Sequence, residues 1–587
     1  MIDVTATLVR WRRMMVPFLD WIGELKDPQV LKADLIAGIT VALVLVPQSM
    51  AYAQLAGLPP YIGLYASFVP VMLAAFMGSS RQLGTGPVAV VSLMTAAALQ
   101  PLVATGSEGY LVYAAVLALM VGVFQLALGL FRLGVLVDFL SHPVVVGFTN
   151  GAAIIIATSQ LSKLFGVKVE SAEHHYETVW RVLVEASQHT HMPTLIMGLC
   201  ALGMMFAMRK FMPKLPNVLI AVVVTTVAAY AMGFAEMGGK VVGDVPKGLP
   251  SVKVPTFSLD VILQLSSAAV TIALIAFMEA VAIAKAMAAS TRQRLDTNQE
   301  LVGQGLGNIA AGFFQSYPVS GSFSRSAVNF SAGALTGFSS IVTGLVVAIT
   351  LLFLTPLLYH LPQATLAAII VMAVINLVKI EPIKHAMKVQ KHDGMVAIIT
   401  FALTLIVAPH LEKSIIVGVM LSLGLFLYRS MRPRFSELSV HPDGTLRDAD
   451  VHDLERCETM SVLRFDGSLY FANAGYFETK VLANIAGKPK LKYVIIDAEG
   501  INQIDATGEE MLHVLSHRMK SAGVQLMFAR AKKQIIDIFR ATHFVEHLGE
   551  QHFFRTRTDA IHFARANIGE DATASPLLRG EMATASA

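Results

Sequence analysis

Two stretches decide how this chain folds: Gly84-Thr85-Gly86-Pro87-Val88-Ala89-Val90-Val91-Ser92 and Pro318-Val319-Ser320-Gly321-Ser322-Phe323-Ser324-Arg325-Ser326. Each combines an extended Gly/Ser/Pro-containing run with a short hydrophobic segment, Pro87–Leu99 in the first case and Ser324–Ala334 in the second. Both segments are weak for a membrane span, which needs about 20 mostly apolar residues. They occupy corresponding places, third from the start and third in a second set of seven. Interrupted segments in matching positions of two halves point to a carrier site. Irregular backbone at that depth is tolerated only where it is buried in protein or lines a cavity.

Around these stretches the composition is that of a membrane protein. The 587 residues are 55% hydrophobic and 15% charged, with mean hydropathy +0.61, where a soluble domain carries about 25% charged residues. The deficit lies between Leu35 and Leu427; beyond Arg429 the composition is that of a soluble domain. Counting by length predicts 14 spans, from Leu35–Leu55 to Ser414–Tyr428, with Pro87–Leu99, Glu300–Phe314 and Ser324–Ala334 the poorest. Basic residues accumulate at alternate ends: Arg10, Arg12, Arg13, Lys26 and Lys32, then Arg81, Arg132, Arg209/Lys210/Lys214, Lys285/Arg292/Arg294, Lys379–Lys391 and Arg429–Arg434. The positive-inside bias places both termini in the cytoplasm. No cleavable signal peptide is expected, because no apolar core follows the N-terminal arginines. Cys200 and Cys457 set neither a disulfide framework nor a metal site.

The chemistry of the two stretches follows from helix ends. A half-helix that starts inside the membrane presents unpaired N–H groups and about half a positive charge. Pro87 suits the first helical turn, where a missing N–H costs nothing. Two facing starts make an anion site, and Arg325 adds a full charge beside the second. Packed, kinked helices with small interfacial residues are the plainer reading. It serves either segment alone, but an intramembrane arginine needs a function or a partner. Glu279, inside Ala276–Lys285, is the other intramembrane charge. It is read either as a proton relay or as the salt-bridge partner of Arg325. Gln48 and Tyr52 share one face of the first span, with Ser49 beside them.

The run Val46-Pro47-Gln48-Ser49-Met50-Ala51-Tyr52-Ala53-Gln54-Leu55-Ala56-Gly57-Leu58-Pro59-Pro60 resembles the signature of the SulP sulfate permease family, the solute carrier 26-type anion transporters. So does Pro318–Asn329, and Met278–Ala284 resembles the eighth span of its sulfate/proton symporters. The resemblance covers nearly the whole chain. It implies an α-helical polytopic membrane protein of two inverted seven-span repeats, divided into core and gate, that moves like an elevator and pairs as a homodimer. By motif it places Gln48, Tyr52, Val88, Ala89, Phe323, Ser324 and Arg325 at the anion and makes Glu279 the coupling acid. With Ser49, Gly86, Pro87 and Ser322 these form the candidate substrate set. Sodium-using relatives carry an aspartate-containing pattern in span eight, so Glu279 favours protons over sodium as coupling ion. No other cofactor and no metal is expected.

From about Ser436 the pattern turns α/β. Met460–Phe465, Leu491–Asp497 and Val524–Ala529 read as strands; Gly475–Ile485, Ala506–Ala522 and Lys532–Thr542 read as helices. Asp505-Ala506-Thr507-Gly508 resembles the Asp-Ser-Ser/Thr-Gly site of STAS domains, which this family carries at its C-terminus. Thr507 holds the place that is phosphorylated in anti-sigma antagonists, and a plain helix start is the alternative. The expected organisation is a cytoplasmic segment 1–32, a transmembrane domain 33–430, a linker 431–445, a STAS domain 446–567 and a disordered tail 568–587. No Walker A loop, metal-spaced Cys/His set or nucleophile elbow argues for an enzyme. His174, His175, His189 and His191 fall in an external loop and read as solvated rather than metal-binding. The expected partners are a small anion, with sulfate favoured, membrane lipid, a second copy of the chain and a cytosolic partner of the STAS domain, with no nucleic acid. The expected location is the plasma membrane, or the inner membrane of a bacterium, crossed many times. The expected function is proton-coupled sulfate uptake. Bicarbonate or dicarboxylate symport, anion exchange, and anion sensing through the STAS domain are the alternatives.

Overall fold

A computed structural model describes residues 17–135, 141–170, 172–212, 215–256, 258–568 and 577. Arg10, Arg12, Arg13 and Lys214, and the tail beyond residue 568 apart from residue 577, lie outside the described residues. The chain divides into two compact units, Met1–Ser422 and Leu423–Ala587.

Eight helices of the first unit and its exit are long and apolar enough to cross a membrane: α1 (Pro28–Leu55), α2 (Pro60–Met77), α4 (Glu108–Leu130), α5 (His142–Phe165), α6 (Met192–Phe211), α8 (Leu259–Thr291), α11 (Phe338–Leu358) and α14 (Leu411–Met431). Shorter apolar helices are α3 (Ala89–Leu99), α7 (Asn217–Ala231) and α12 (Gln363–Val374). With α9 (Thr297–Phe313), α10 (Phe323–Ser331) and α13 (Lys391–Val407) they match the fourteen segments expected from hydropathy. Local chemistry starts several of them. Asp27 caps α1 by accepting from Gln29 N at 2.9 Å, with Pro28 in the first turn. Asp296 caps α9 by accepting from Asn298 N and Gln299 N.

Packing reveals the internal repeat. Helix α1 packs on α11, and α8 packs on α4; α2 meets α11, and α9 meets α4; α5 meets α13, and α12 meets α6; α1 meets α10, and α8 meets α3. Each second pair is the first shifted by seven helices. Because seven is odd, the second set enters from the opposite face, so the repeats are inverted. Helices α1–α4 and α8–α11 form one group. Helices α5–α7 and α12–α14 form the other, where Thr404 on α13 donates to Ser414 on α14 at 3.1 Å.

The second unit holds a six-stranded sheet in the order β4-β3-β5-β6-β7-β8. The strands are β3 (Phe435–Val440), β4 (Leu446–Asp448), β5 (Met460–Phe465), β6 (Tyr493–Asp497), β7 (Gln525–Ala529) and β8 (Phe553–Phe554). From β5 to β8 the pairing is parallel, while β3 runs antiparallel to β4 and β5. Side chains alternate across it. Val494, Ile496 and Phe528 face the helices α15 (Ala474–Ala486), α16 (Ala506–Ser521) and α17 (Lys533–Ala541). Val462, Ile495 and Met527 face α18 (Arg557–Ile568). The stretch 431–445, expected as a linker, instead carries β3. Its alternation buries Ser436 and Leu438 between β4 and β5.

Candidate functional site

The two interrupted stretches meet. Thr85–Gly86 (β1) and Ser320–Gly321 (β2) pair antiparallel, with Thr85 opposite Gly321 and Gly86 opposite Ser320. Gly84 extends the pairing: its carbonyl accepts from Ser322 N at 3.0 Å and its N–H donates to Ser326 Oγ at 2.8 Å. Helices α3 and α10 begin within three residues of these strands, so both half-helix N-termini emerge from one buried crossing.

The two starts differ. Pro87 was expected in the first turn of α3, but that helix begins at Ala89 with Val88 as an extended cap residue without a side-chain bond. Gly86 has φ +144°, open to glycine and strained for other residues. Together with the β pairing, this keeps the chain extended through Pro87 and Val88. The α10 start is capped by Ser322, whose Oγ accepts from Arg325 N at 3.5 Å and lies 3.2 Å from Ser324 Oγ.

Arg325 joins the two sides. It is fully buried, and its Nη1 donates to Pro87 O at 2.7 Å. Its Nε and Nη2 have no partner among the described residues. A Cβ on Gly86 would lie 3.3 Å from Nη2. Tyr52 and Tyr317 are within electrostatic reach of the guanidinium. Tyr52 and Gln48 are buried on α1, and Gln48 Oε1 has no hydrogen-bond partner among the described residues. Ser49 is buried too, but its hydroxyl donates to Val46 O at 2.9 Å, within its own helix. Val88 and Ala89 are buried at the α3 start, whereas Phe323 is 62% exposed and Ser324 is exposed beside it. Glu279 is half-buried on α8, one residue from Ala280, which a Cβ on Gly321 would touch at 3.0 Å. Among the described residues it makes no hydrogen bond and no ion pair, so the salt bridge to Arg325 does not form.

Two half-helix starts supply about +0.5 each and Arg325 supplies about +1, so the crossing carries roughly +2. Dry surroundings strengthen every such interaction.

A polar ladder on α9 holds this arrangement, and it was not singled out from the sequence. Glu300, Gln304 and Asn308 stand at i, i+4 and i+8, all buried. Glu300 accepts from Ser79 N and Ser80 N at 3.0 and 2.9 Å. Gln304 donates to Thr85 Oγ1 at 2.8 Å, and Asn308 both donates to Val319 O (3.1 Å) and accepts from Val319 N (2.8 Å). One helix face therefore fixes both strands. The spacing was visible within the weak Glu300–Phe314 segment, whose polarity is what made it weak. Tyr317, just before the quoted second stretch, is buried with its hydroxyl 3.4 Å from Ser92 Oγ.

In the second unit Thr507 is exposed in the first turn of α16. Asp505 caps that turn, accepting from Gly508 N at 2.8 Å and Phe471 N at 2.9 Å.

Inverted repeats with broken helices opposed at a buried crossing are the architecture of a membrane carrier. The comparisons carry this to a family. The Sulfate permease family model matches residues 31–400, and the STAS domain model matches residues 451–560. A probable sulfate transporter 4.2 of Arabidopsis thaliana is 36% identical over 94% of this chain and 84% of its own length. A probable sulfate transporter of Mycobacterium tuberculosis is 33% identical over 95% of this chain and 98% of its own. Among solved structures, SLC26A9 superposes with TM-score 0.88 at 24% identity, covering 96% of this chain and 95% of that one. The chain belongs to the sulfate permease family. It is a multi-pass integral membrane anion transporter with a C-terminal STAS domain, and not an enzyme.

Proposed function

We propose that the chain takes up sulfate together with protons, by an elevator-like movement of the α1–α4/α8–α11 group against the α5–α7/α12–α14 group. The observation that carries this reading is the crossing itself. A buried Arg325 ties the two half-helix starts together while Glu279, a carboxyl without a hydrogen-bond or ion-pair partner among the described residues, stands beside β2. With Glu279 protonated the crossing offers about +2, which matches a dianion; with Glu279 ionised it offers about +1. Binding of the dianion and of the proton then favour each other, which is symport. Gln48, Tyr52, Gly86, Pro87, Val88, Ala89, Ser322, Phe323, Ser324 and Arg325 form the substrate surface, with Ser49 as support. The sulfate-transporter relatives support this choice of anion. The carrier works as a homodimer in the plasma membrane with both termini cytoplasmic, and the α16 start around Thr507 is a regulatory surface for a cytosolic partner.

The test is sulfate uptake into proteoliposomes with an imposed pH gradient, alongside a panel of bicarbonate and dicarboxylates. An inward proton gradient should accelerate wild-type uptake, and Glu279→Gln should transport without responding to it. A full response by that variant would refute Glu279 as the coupling acid.

A further inference from the structure

The connection between α5 and α6 contains a helix, His175–His189, that the transport reading leaves unused. Its start is held at the ends of two spans: His175 N donates to Ala408 O at 3.3 Å, just past α13, and His175 Nε2 lies 2.8 Å from Thr158 Oγ1 on α5. Past its end, His191 N donates to Phe165 O, the last residue of α5, at 2.9 Å. Both ends therefore sit on the membrane face where α5 and α13 finish and α6 begins. The helix lies along that face and does not cross.

Its surface has three sides. Val182 and Ala186 are buried against the bundle. Tyr176, Trp180, Leu183 and Val184, at i, i+4, i+7 and i+8, share a second side and are 57, 69, 44 and 45% exposed. The third side is polar. Met192, Ile196 and Leu199 on α6, which follows in the chain, are also exposed and belong to a membrane span. A helix with a tryptophan-bearing apolar side and a charged side is built to lie in a lipid headgroup layer.

A hollow of about 410 Å³ beside it is lined by Lys168, Val169, Trp180, Arg181, Val184 and Glu185. Glu185 is paired with His189 at 3.1 Å, whereas Lys168 and Arg181 make no hydrogen bond or ion pair among the described residues. Lys240 lies within electrostatic reach of Lys168 and adds to the positive side.

We propose that this hollow binds an acidic phospholipid. Lys168 and Arg181 hold the phosphate, and an acyl chain runs over Trp180 and Val184 into the bilayer beside α6. A headgroup between two cations and an apolar wall satisfies both sides of the helix at once.

Two measurements on the full-length chain test this. In a Cys200→Ser background, a spin label at Trp180→Cys in phosphatidylglycerol nanodiscs should collide more with oxygen than with a water-soluble nickel chelate. The reverse order would overturn the proposal, as would strong spin–spin broadening between copies, which would make the face a contact with a second chain. In discs of mixed phosphatidylglycerol and phosphatidylcholine, native mass spectrometry should show preferential retention of phosphatidylglycerol. Lys168→Gln/Arg181→Gln should lower that retention about fivefold or more. Equal retention of the two lipids by the wild type, or unchanged retention by the double variant, would also overturn it. Preserved sulfate uptake by the variants reports that they are folded.

Discussion

The two arms of the crossing are related by the repeat, yet they are chemically unlike. The α3 arm offers only backbone: an extended Gly86-Pro87-Val88 and an uncapped helix start. The α10 arm offers hydroxyls from Ser322 and Ser324 and the charge of Arg325. The repeat presents the geometry twice, and the polar side chains stand on one copy. The difference teaches that position and recognition are separable here. Under the proposed sulfate-binding role, the first arm would set where the oxyanion sits and the second how strongly it is held.

The largest expected effect comes from removing the charge. Arg325→Met should lower sulfate uptake about 100-fold or more, on the scale of about 3 kcal/mol for a buried charged hydrogen-bonding group. Arg325→Lys should not restore it, because one ammonium cannot reproduce the guanidinium fork. Uptake by the Met variant above a tenth of wild type would break the division between the arms. Gly86→Ala should come next. It forces a side chain into a φ of +144° at a cost of about 1–3 kcal/mol, with its Cβ pressed toward Arg325. Initial-rate measurements should show KM rising with little loss of maximal rate in what remains folded. Asn308→Leu orphans both backbone groups of Val319, costing about 1–3 kcal/mol. It should alter the sulfate-to-selenate uptake ratio, and Asn308→Asp should recover only the bond from Val319 N. The smallest effects test the caps. Ser322→Ala should lower thermal stability by about 1 kcal/mol, and Val88→Ser, which adds the cap that α3 lacks, should raise it by a similar amount. Equal losses of uptake from the Ser322 and Val88 changes would remove the asymmetry.

Much of this was legible from local pattern. Fourteen segments, the pairing of the third with the tenth, and three of the six strands with their helices follow from hydropathy and alternation, which report burial directly. What escaped depends on contacts between distant residues. Pro87 reads as a first-turn proline, but the pairing of Gly86 with Ser320 and the positive φ of Gly86 keep it outside the helix. Gln304 and Asn308 read as blemishes in a poor span, because their value lies in Thr85 and Val319, which other segments bring to them. The strand β3 hides because its buried positions include Ser436 and Ser439 beside Leu438, so no apolar alternation marks it. Phe323 and Ser324 share a motif with Arg325, yet they are exposed at the α10 start while Arg325 is buried, a difference the motif alone does not show.

The bond from Arg325 to Pro87 bears on turnover. A carrier must release its cargo on every cycle, so affinity is useful only up to the point where departure becomes slow. One arm of the guanidinium is already committed to a protein carbonyl. In the proposed site an arriving oxyanion would therefore meet a cation that is oriented but partly satisfied, and would gain less than from a fully unengaged one.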